Sequence, residues 1–258
     1  MNDPSRSGVS LMIEPRGEVK TMLSIANLSK TYKGGKQAVK NLSLEVNDGD
    51  LYGFIGPNGA GKTTTLKCIA GILPFTEGEI RIDGHSVTRD PLVCKQVIAY
   101  IPDNPDLYES MTGIQFLNFI ADVFKMSSGD RRAQITRYAE MFGMTENLNS
   151  PISSFSHGMK QKLAIISAVM HRPKLLILDE PFVGLDPNAA YQLKQTMRKL
   201  CSGGTAIFFS SHVLEVVEKL CNKLAIIKSG ELVVSGETEQ IKGNSTLENL
   251  FLELTVHE

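Results

Sequence analysis

The chain has 258 residues, 42% of them hydrophobic and 21% charged, with a formal net charge of -1. That is the composition of an ordinary globular domain long enough for a full core, and it carries no global basic field, so nucleic acid is not an expected partner. A bilayer span needs about 20 mostly apolar residues, and the longest apolar run, Leu163 to Met170, is far shorter and is interrupted by Ser167.

In chain order, residues 1–21 contain Pro4, Gly8, Pro15 and Gly17 but no secretory apolar core. They read as a disordered leader or a mis-chosen start, with the folded part opening at Met22. Leu23–Ala26 and Leu42–Val46 are predicted strands, the second from its alternating Leu42, Leu44 and Val46. Leu51–Ile55 is a short apolar strand running into a glycine-rich turn, after which Leu66, Ile69, Ala70 and Leu73 recur at helical spacing. Gly78–Ile82 and Val97–Ile101 are further predicted strands, with a turn at Asp83-Gly84. Thr112-Gly113-Ile114-Gln115 is a capping box opening a helix whose stripe is Ile114, Leu117, Ile120, Ala121 and Phe124. A second helix is predicted over Arg131–Phe142, and a third from near Gly158. Leu175–Leu178, Ala190–Leu200 and Thr205–Phe209 then read as strand, helix, strand. A hairpin follows around Ser229-Gly230, and Leu247, Leu250, Phe251 and Leu254 mark one face of a closing helix. Cys68, Cys94, Cys201 and Cys221 stand far apart without a Cys-x-x-Cys pair, which predicts buried thiols in a reducing cytosol.

Gly56-Pro57-Asn58-Gly59-Ala60-Gly61-Lys62-Thr63, followed by Thr64, fits the G-x-x-x-x-G-K-[ST] phosphate loop. Its glycines allow a backbone path whose N–H groups form an anion nest, and the helix begins with its positive end at the same place. Lys62 supplies a cation for the β- and γ-phosphates, and Thr63 a hydroxyl for Mg²⁺. Chance gives roughly one such match per hundred chains of this length, before the strand-then-helix context is required. The continuous apolar run Leu175–Leu178 suits a central parallel strand and ends in Asp179-Glu180. Alternation along a strand should turn these carboxylates different ways: Asp179 toward Mg²⁺, and Glu180 toward the attacking water as general base or orienter.

Ser154-Phe155-Ser156-His157-Gly158-Met159-Lys160-Gln161-Lys162, just ahead of the carboxylate strand, resembles the LSGGQ-type signature of ABC ATPases. Gly184-Leu185-Asp186 resembles that family's D-loop, Ser211-His212 its switch histidine, and Tyr32 the aromatic that stacks on adenine. Asp103 stands where the family's Q-loop has glutamine, and His157 and Met159 replace the usual signature residues. The resemblance covers about Met22 to Ser235. It implies an α/β fold, a P-loop NTPase (RecA-like) core with an antiparallel β subdomain and a helical insert over about 104–160. The ATPase domain would occupy 22–240, and a C-terminal helix in 241–258 would pack on it. By the same resemblance Glu180 and His212 are expected to be catalytic, and Ser156, His157, Gly158 and Asp186 to meet nucleotide. ATP and Mg²⁺ are the expected ligands. The expected partners are a second ATP-binding subunit and integral membrane transporter subunits, which would hold the chain at the cytoplasmic face of the cell membrane. A soluble ABC-type ATPase of assembly or repair, a non-hydrolysing switch and a P-loop small-molecule kinase are the competing readings.

Overall fold

A computed structural model describes residues 20–256, with side chains to residue 254; most of the expected leader and the last two residues lie outside the described residues. The elements in order are β1 (Thr21–Thr31), β2 (Gln37–Asn47), β3 (Leu51–Ile55), α1 (Lys62–Ile69), β4 (Glu77–Ile82), β5 (His85–Ser86), α2 (Pro91–Val97), β6 (Ile98–Ile101), α3 (Gly113–Val123) and α4 (Ser128–Met141). Two single turns of 3-10 helix, Thr145–Asn147 and Ile152–Ser154, lead into α5 (His157–Val169). The rest is β7 (Leu175–Asp179), α6 (Pro187–Ser202), β8 (Ala206–Ser211), α7 (Leu214–Leu220), β9 (Lys223–Lys228), β10 (Glu231–Glu237), α8 (Thr238–Lys242) and α9 (Leu247–Val256).

Two sheets divide the work. The smaller has order β2-β1-β4-β5 and is antiparallel throughout. Its first strand runs well beyond the predicted Ala26, because an irregularity between Ile25 and Leu28 resets the alternation. Asn27 takes a left-handed φ of 52° there, and Leu28 returns to the core. The larger sheet has order β10-β9-β3-β8-β7-β6; β9, β3, β8, β7 and β6 are parallel, and β10 closes one edge as the antiparallel arm of a hairpin. Every residue of β3, β7 and β8 is buried, as expected of parallel strands covered on both faces. From β3 the chain proceeds to one side of the sheet and returns, through β9, on the other. The carboxyl ends of β3, β6, β7 and β8 therefore share the rim where such sheets bind ligands.

One core lies between the two sheets and around α1; the other joins the parallel sheet to α3–α6. Thr112 and Gln115 make the predicted capping box, each side chain bonding the other residue's backbone N–H. Both expected hairpin turns have two residues with positive φ, Asp83-Gly84 at 50° and 82° and Ser229-Gly230 at 50° and 86°. The predicted strand at Val97 is corrected: Val97 ends α2, which starts with Pro91 in its first turn, and the strand begins at Ile98. Cys68, Cys94 and Cys221 are buried as expected, while Cys201 is only half-buried at the end of α6. On α9, Leu247 is buried and Leu250, Phe251 and Leu254 pack against the core. No helix among the described residues is long and apolar enough to cross a membrane.

Candidate functional site

The glycine-rich loop leaves β3 at Ile55 and enters α1 at Lys62. Gly61 holds the helix N-cap position at φ 109°, and a Cβ there would sit 2.3 Å from the Ala38 carbonyl oxygen, so both conformation and space require glycine. Lys62 is buried and folds back on its own loop, its Nζ donating to the Gly56 carbonyl at 2.6 Å and to the Pro57 carbonyl at 3.3 Å. Burial lowers its pKa, and the charges of Glu180 and Asp179 oppose that shift. The hydroxyls of Thr64 and Tyr32 lie 3.1 Å apart, so the turn after β1 is tied to the first turn of α1.

The two acids occupy different environments. Asp179 is 1% exposed; its Oδ1 accepts from Ser210 Oγ at 2.6 Å, and its Oδ2 is buried without a partner among the described residues. Glu180 leaves the strand with a left-handed φ of 48°. Its N–H donates to Ser210 Oγ at 3.0 Å, its Oε2 accepts from the His212 N–H at 3.2 Å, and the same oxygen lies 2.9 Å from His212 Nδ1. A change of backbone conformation after Asp179, rather than strand alternation, separates their partners. Both still line one cleft.

That cleft has a volume of about 360 Å³. Its wall contains Asn58, Gly59, Ala60, Gly61, Lys62, Thr63 and Thr64 of the loop and α1, with Tyr32, Asp103, Asp179 and Glu180 around them. Gly56 and Pro57 back it through the carbonyls that hold Lys62. His212 joins through Glu180. Ala38 and two polar residues escaped sequence reasoning. Lys36 reaches the cleft because the β1–β2 connection folds back, with the Tyr32 N–H bonded to the Lys36 carbonyl. Ser210 is paired in register with Asp179 across β7 and β8, and the sequence signal was the Ser210-Ser211 end of an otherwise apolar strand.

Ser156, His157, Gly158 and Asp186 do not line this cleft; they form a second cluster. Ser156 caps α5, accepting from the Met159 N–H at 3.3 Å. A Cβ on Gly158 would fall 2.7 Å from the Gly184 carbonyl oxygen, so the start of α5 and the 184 loop pass each other at backbone distance. Asp186 caps α6 through the Ala189 N–H at 2.8 Å and pairs with Lys162 at 2.6 Å; that hydrogen bond to Lys162 holds its carboxyl below the usual carboxylate range. Gln161, fully buried in α5, donates to the Pro181 carbonyl at 3.5 Å and so links this cluster to the acid segment.

For a divalent cation the donors at the cleft are all oxygens, Thr63, Asp179 and Asp103, which suits Mg²⁺ chemistry. The partnerless Oδ2 of Asp179 fits such an ion. No cluster of three His, Cys, Asp or Glu residues that could by itself hold a metal is present among the described residues. Mg²⁺ is usually bound by one or two carboxylates together with substrate phosphates, and the cleft has that form.

A phosphate loop at the rim of a parallel sheet, with an acid pair on the next strand but one, defines a P-loop nucleotide-binding domain. The chain belongs to the ABC transporter family of ATP-binding proteins, whose family model, described as ABC transporter, matches residues 39–183. It is similar to the linearmycin resistance ATP-binding protein LnrL of Bacillus subtilis, at 36% identity over 215 residues, 83% of this chain and 69% of that protein. A solved ATP binding subunit of an ABC transporter aligns with a TM-score of 0.87 and 32% identity, over 91% of this chain and 99% of that one. A dimeric ATP-binding cassette in a post-hydrolysis state with ADP and Pi shares the fold, with a TM-score of 0.76 and 24% identity over 84% and 99% of the two chains. These matches bear out the fold expected from the motifs, and they set the chain among ABC ATPases.

Proposed function

We propose that this chain binds and hydrolyses ATP as the motor subunit of an ABC transporter, closing with a second ATP-binding subunit and moving separate membrane subunits. The observation that carries hydrolysis is the Glu180–His212 contact of 2.9 Å beside the phosphate loop. A non-hydrolysing switch would not need a carboxylate held by both the ring and the backbone N–H of one histidine.

Triphosphate oxygens would take over Lys62 Nζ from the Gly56 and Pro57 carbonyls, while the loop N–H groups and the start of α1 face the same charge. Thr63 and Asp179 would hold Mg²⁺, which supplies neutralisation of charge developing on the transferred phosphoryl group. Glu180 orients the attacking water or takes its proton, and His212 fixes the position of that carboxylate. Tyr32, 40% exposed, offers a ring face for adenine at the cleft's outer wall. Asp103 stands at the cleft and opens the segment leading to α3, so it can report the state of the nucleotide to the helical insert. The cluster of Ser156, His157, Gly158 and Asp186 is displaced from the chain's own cleft, which supports its use on the nucleotide of a second subunit. An ATP-binding cassette of this fold is known as a dimer bound to ADP and Pi. Membrane partners would keep the chain at the cytoplasmic face.

A dimer closed by ATP is stabilised by whatever binds only the closed form. Glu180→Gln should abolish phosphate release and leave a dimer that accumulates with ATP and Mg²⁺ in size-exclusion chromatography. Unchanged phosphate release would overturn the role of Glu180, and a persistent monomer would overturn the dimer.

A further inference from the structure

A second cleft, of about 310 Å³, lies between α4, α6 and the turn that joins α5 to β7. Arg137, Arg172 and Lys199 line it, and no Asp or Glu does. None of the three makes a salt bridge among the described residues, and Arg137 rests over the Tyr138 ring at 5.0 Å. The floor is polar as well. Gln134 is 7% exposed and its buried Oε1 has no hydrogen-bond partner among the described residues. Tyr138 is 4% exposed, and no hydrogen bond is made by its hydroxyl among the described residues. Arg137 and Arg172 both act on that hydroxyl electrostatically, against the desolvation that raises its pKa.

Neutralising nearby helix ends accounts for only part of this positive charge. α4, α5 and α6 end at Met141, Val169 and Ser202, close in sequence to the residues that line the cleft. Each helix end presents roughly half a negative charge, so three of them offset about half of the three positive side chains. An excess of about one and a half charges remains, over a floor that contains one unanswered buried acceptor. Arg172 is moreover held at a left-handed φ of 54°, where an arginine is strained and a glycine would not be.

We infer that this cleft is a second ligand site, distinct from the phosphate loop, that takes a small phosphorylated compound carrying a hydroxyl or aromatic group. The guanidinium groups of Arg137 and Arg172 match phosphate oxygens in fork geometry, and Lys199 adds a point charge. Gln134 contributes polar floor beneath the phosphate, and Met141 and Leu200 supply apolar wall for the ligand's body. The volume falls at the lower end of small-ligand pockets, which limits the occupant to a compact molecule. Once bound, it would tie the helical insert, through α4, to α6 and to the turn leading into the acid-bearing strand.

The test is calorimetric titration of 4-hydroxyphenyl phosphate into the full chain, into Lys62→Ala, and into the Arg137→Gln, Arg172→Gln double variant. Hydroquinone serves as the neutral control. Binding is expected in the first two proteins, to weaken by about tenfold or more in the double variant, and to be absent for hydroquinone. Both arginines have exposed or half-buried side chains, so the variant should fold; Lys199→Gln, exposed on α6, gives an independent check with a smaller loss. Heat that disappears with Lys62→Ala and persists in the arginine variant would assign the binding to the phosphate loop and overturn the site. So would the absence of heat at millimolar ligand in the wild-type chain.

Discussion

Ser210 is the most informative residue to change, because one hydroxyl serves both acids of the cleft. Its Oγ donates to Asp179 Oδ1 at 2.6 Å and accepts from the Glu180 N–H at 3.0 Å, with Ser210 fully buried and Asp179 1% exposed. Alanine removes a hydrogen bond to a buried carboxylate, worth about 2 kcal/mol, and leaves a backbone N–H unanswered at about 1 kcal/mol more. Losing one oxygen opens no methylene-sized hole, so the packing of β8 adds little. A total of about 3 kcal/mol corresponds to a fall in Tm of roughly 6–12 °C for a domain of this size. Ser211→Ala is the matched control. Ser211 is just as buried, but its Oγ only accepts from the Val213 N–H at 3.0 Å, and its loss should cost about 1 kcal/mol. Urea and thermal melts read both variants, and phosphate release should fall in Ser210→Ala because both acids lose their common strut. A Ser210→Ala protein that melts within about a degree of wild type would refute the claim that this hydroxyl carries the pair.

Two further predictions concern stability. His171 stacks on Phe124 with ring centroids 3.6 Å apart, and burial pushes its imidazole down to about 4 from the ordinary 6.5. The unfolded chain therefore takes up this proton below about pH 6.5 and the folded one only near pH 4; stability is fully present above that window and declines through it by up to about 3 kcal/mol. His171→Gln should flatten the decline, and identical slopes in urea melts of the two proteins would refute the assignment. Leu247 is fully buried at the start of α9, where its N–H also donates to Glu218 Oε2 at 3.1 Å. Leu247→Ala should cost about 2–4 kcal/mol and speed proteolysis of the C-terminal helix; a change under about 1 kcal/mol would mean that α9 is not anchored to the domain.

The sequence was most legible where one residue type had one physical use. Gly61 and Lys62 stand where the G-x-x-x-x-G-K spacing puts them, and the all-apolar run before Asp179 became the buried central strand it implied. The hairpin turns at Asp83-Gly84 and Ser229-Gly230 were equally direct. Short helices were not. α2 and α7 have seven residues each, too few to display a helical period beside the strands they adjoin. Lys36 and Ser210 escaped for another reason, since each acquires its place through pairing with a distant segment. The Ser210-Ser211 pair marks a polar end to an apolar strand, but nothing local says that Ser210 will meet Asp179. The cations of the second cleft, on α4, α6 and the intervening turn, likewise come together only through tertiary packing.

The turn at Gly230 has a reach that its distance along the chain from the phosphate loop conceals. Its N–H donates to the Ala60 carbonyl inside that loop at 2.9 Å, and its carbonyl accepts from the Lys40 N–H of β2 at 2.8 Å. A Cβ there would stand 2.9 Å from the Ala38 carbonyl oxygen. One residue thus buttons the phosphate loop to both sheets, and a side chain at 230 would press on the backbone of β2 at Ala38 and Val39. The path of the phosphate loop is in this sense braced by a hairpin tip that does not line the cleft.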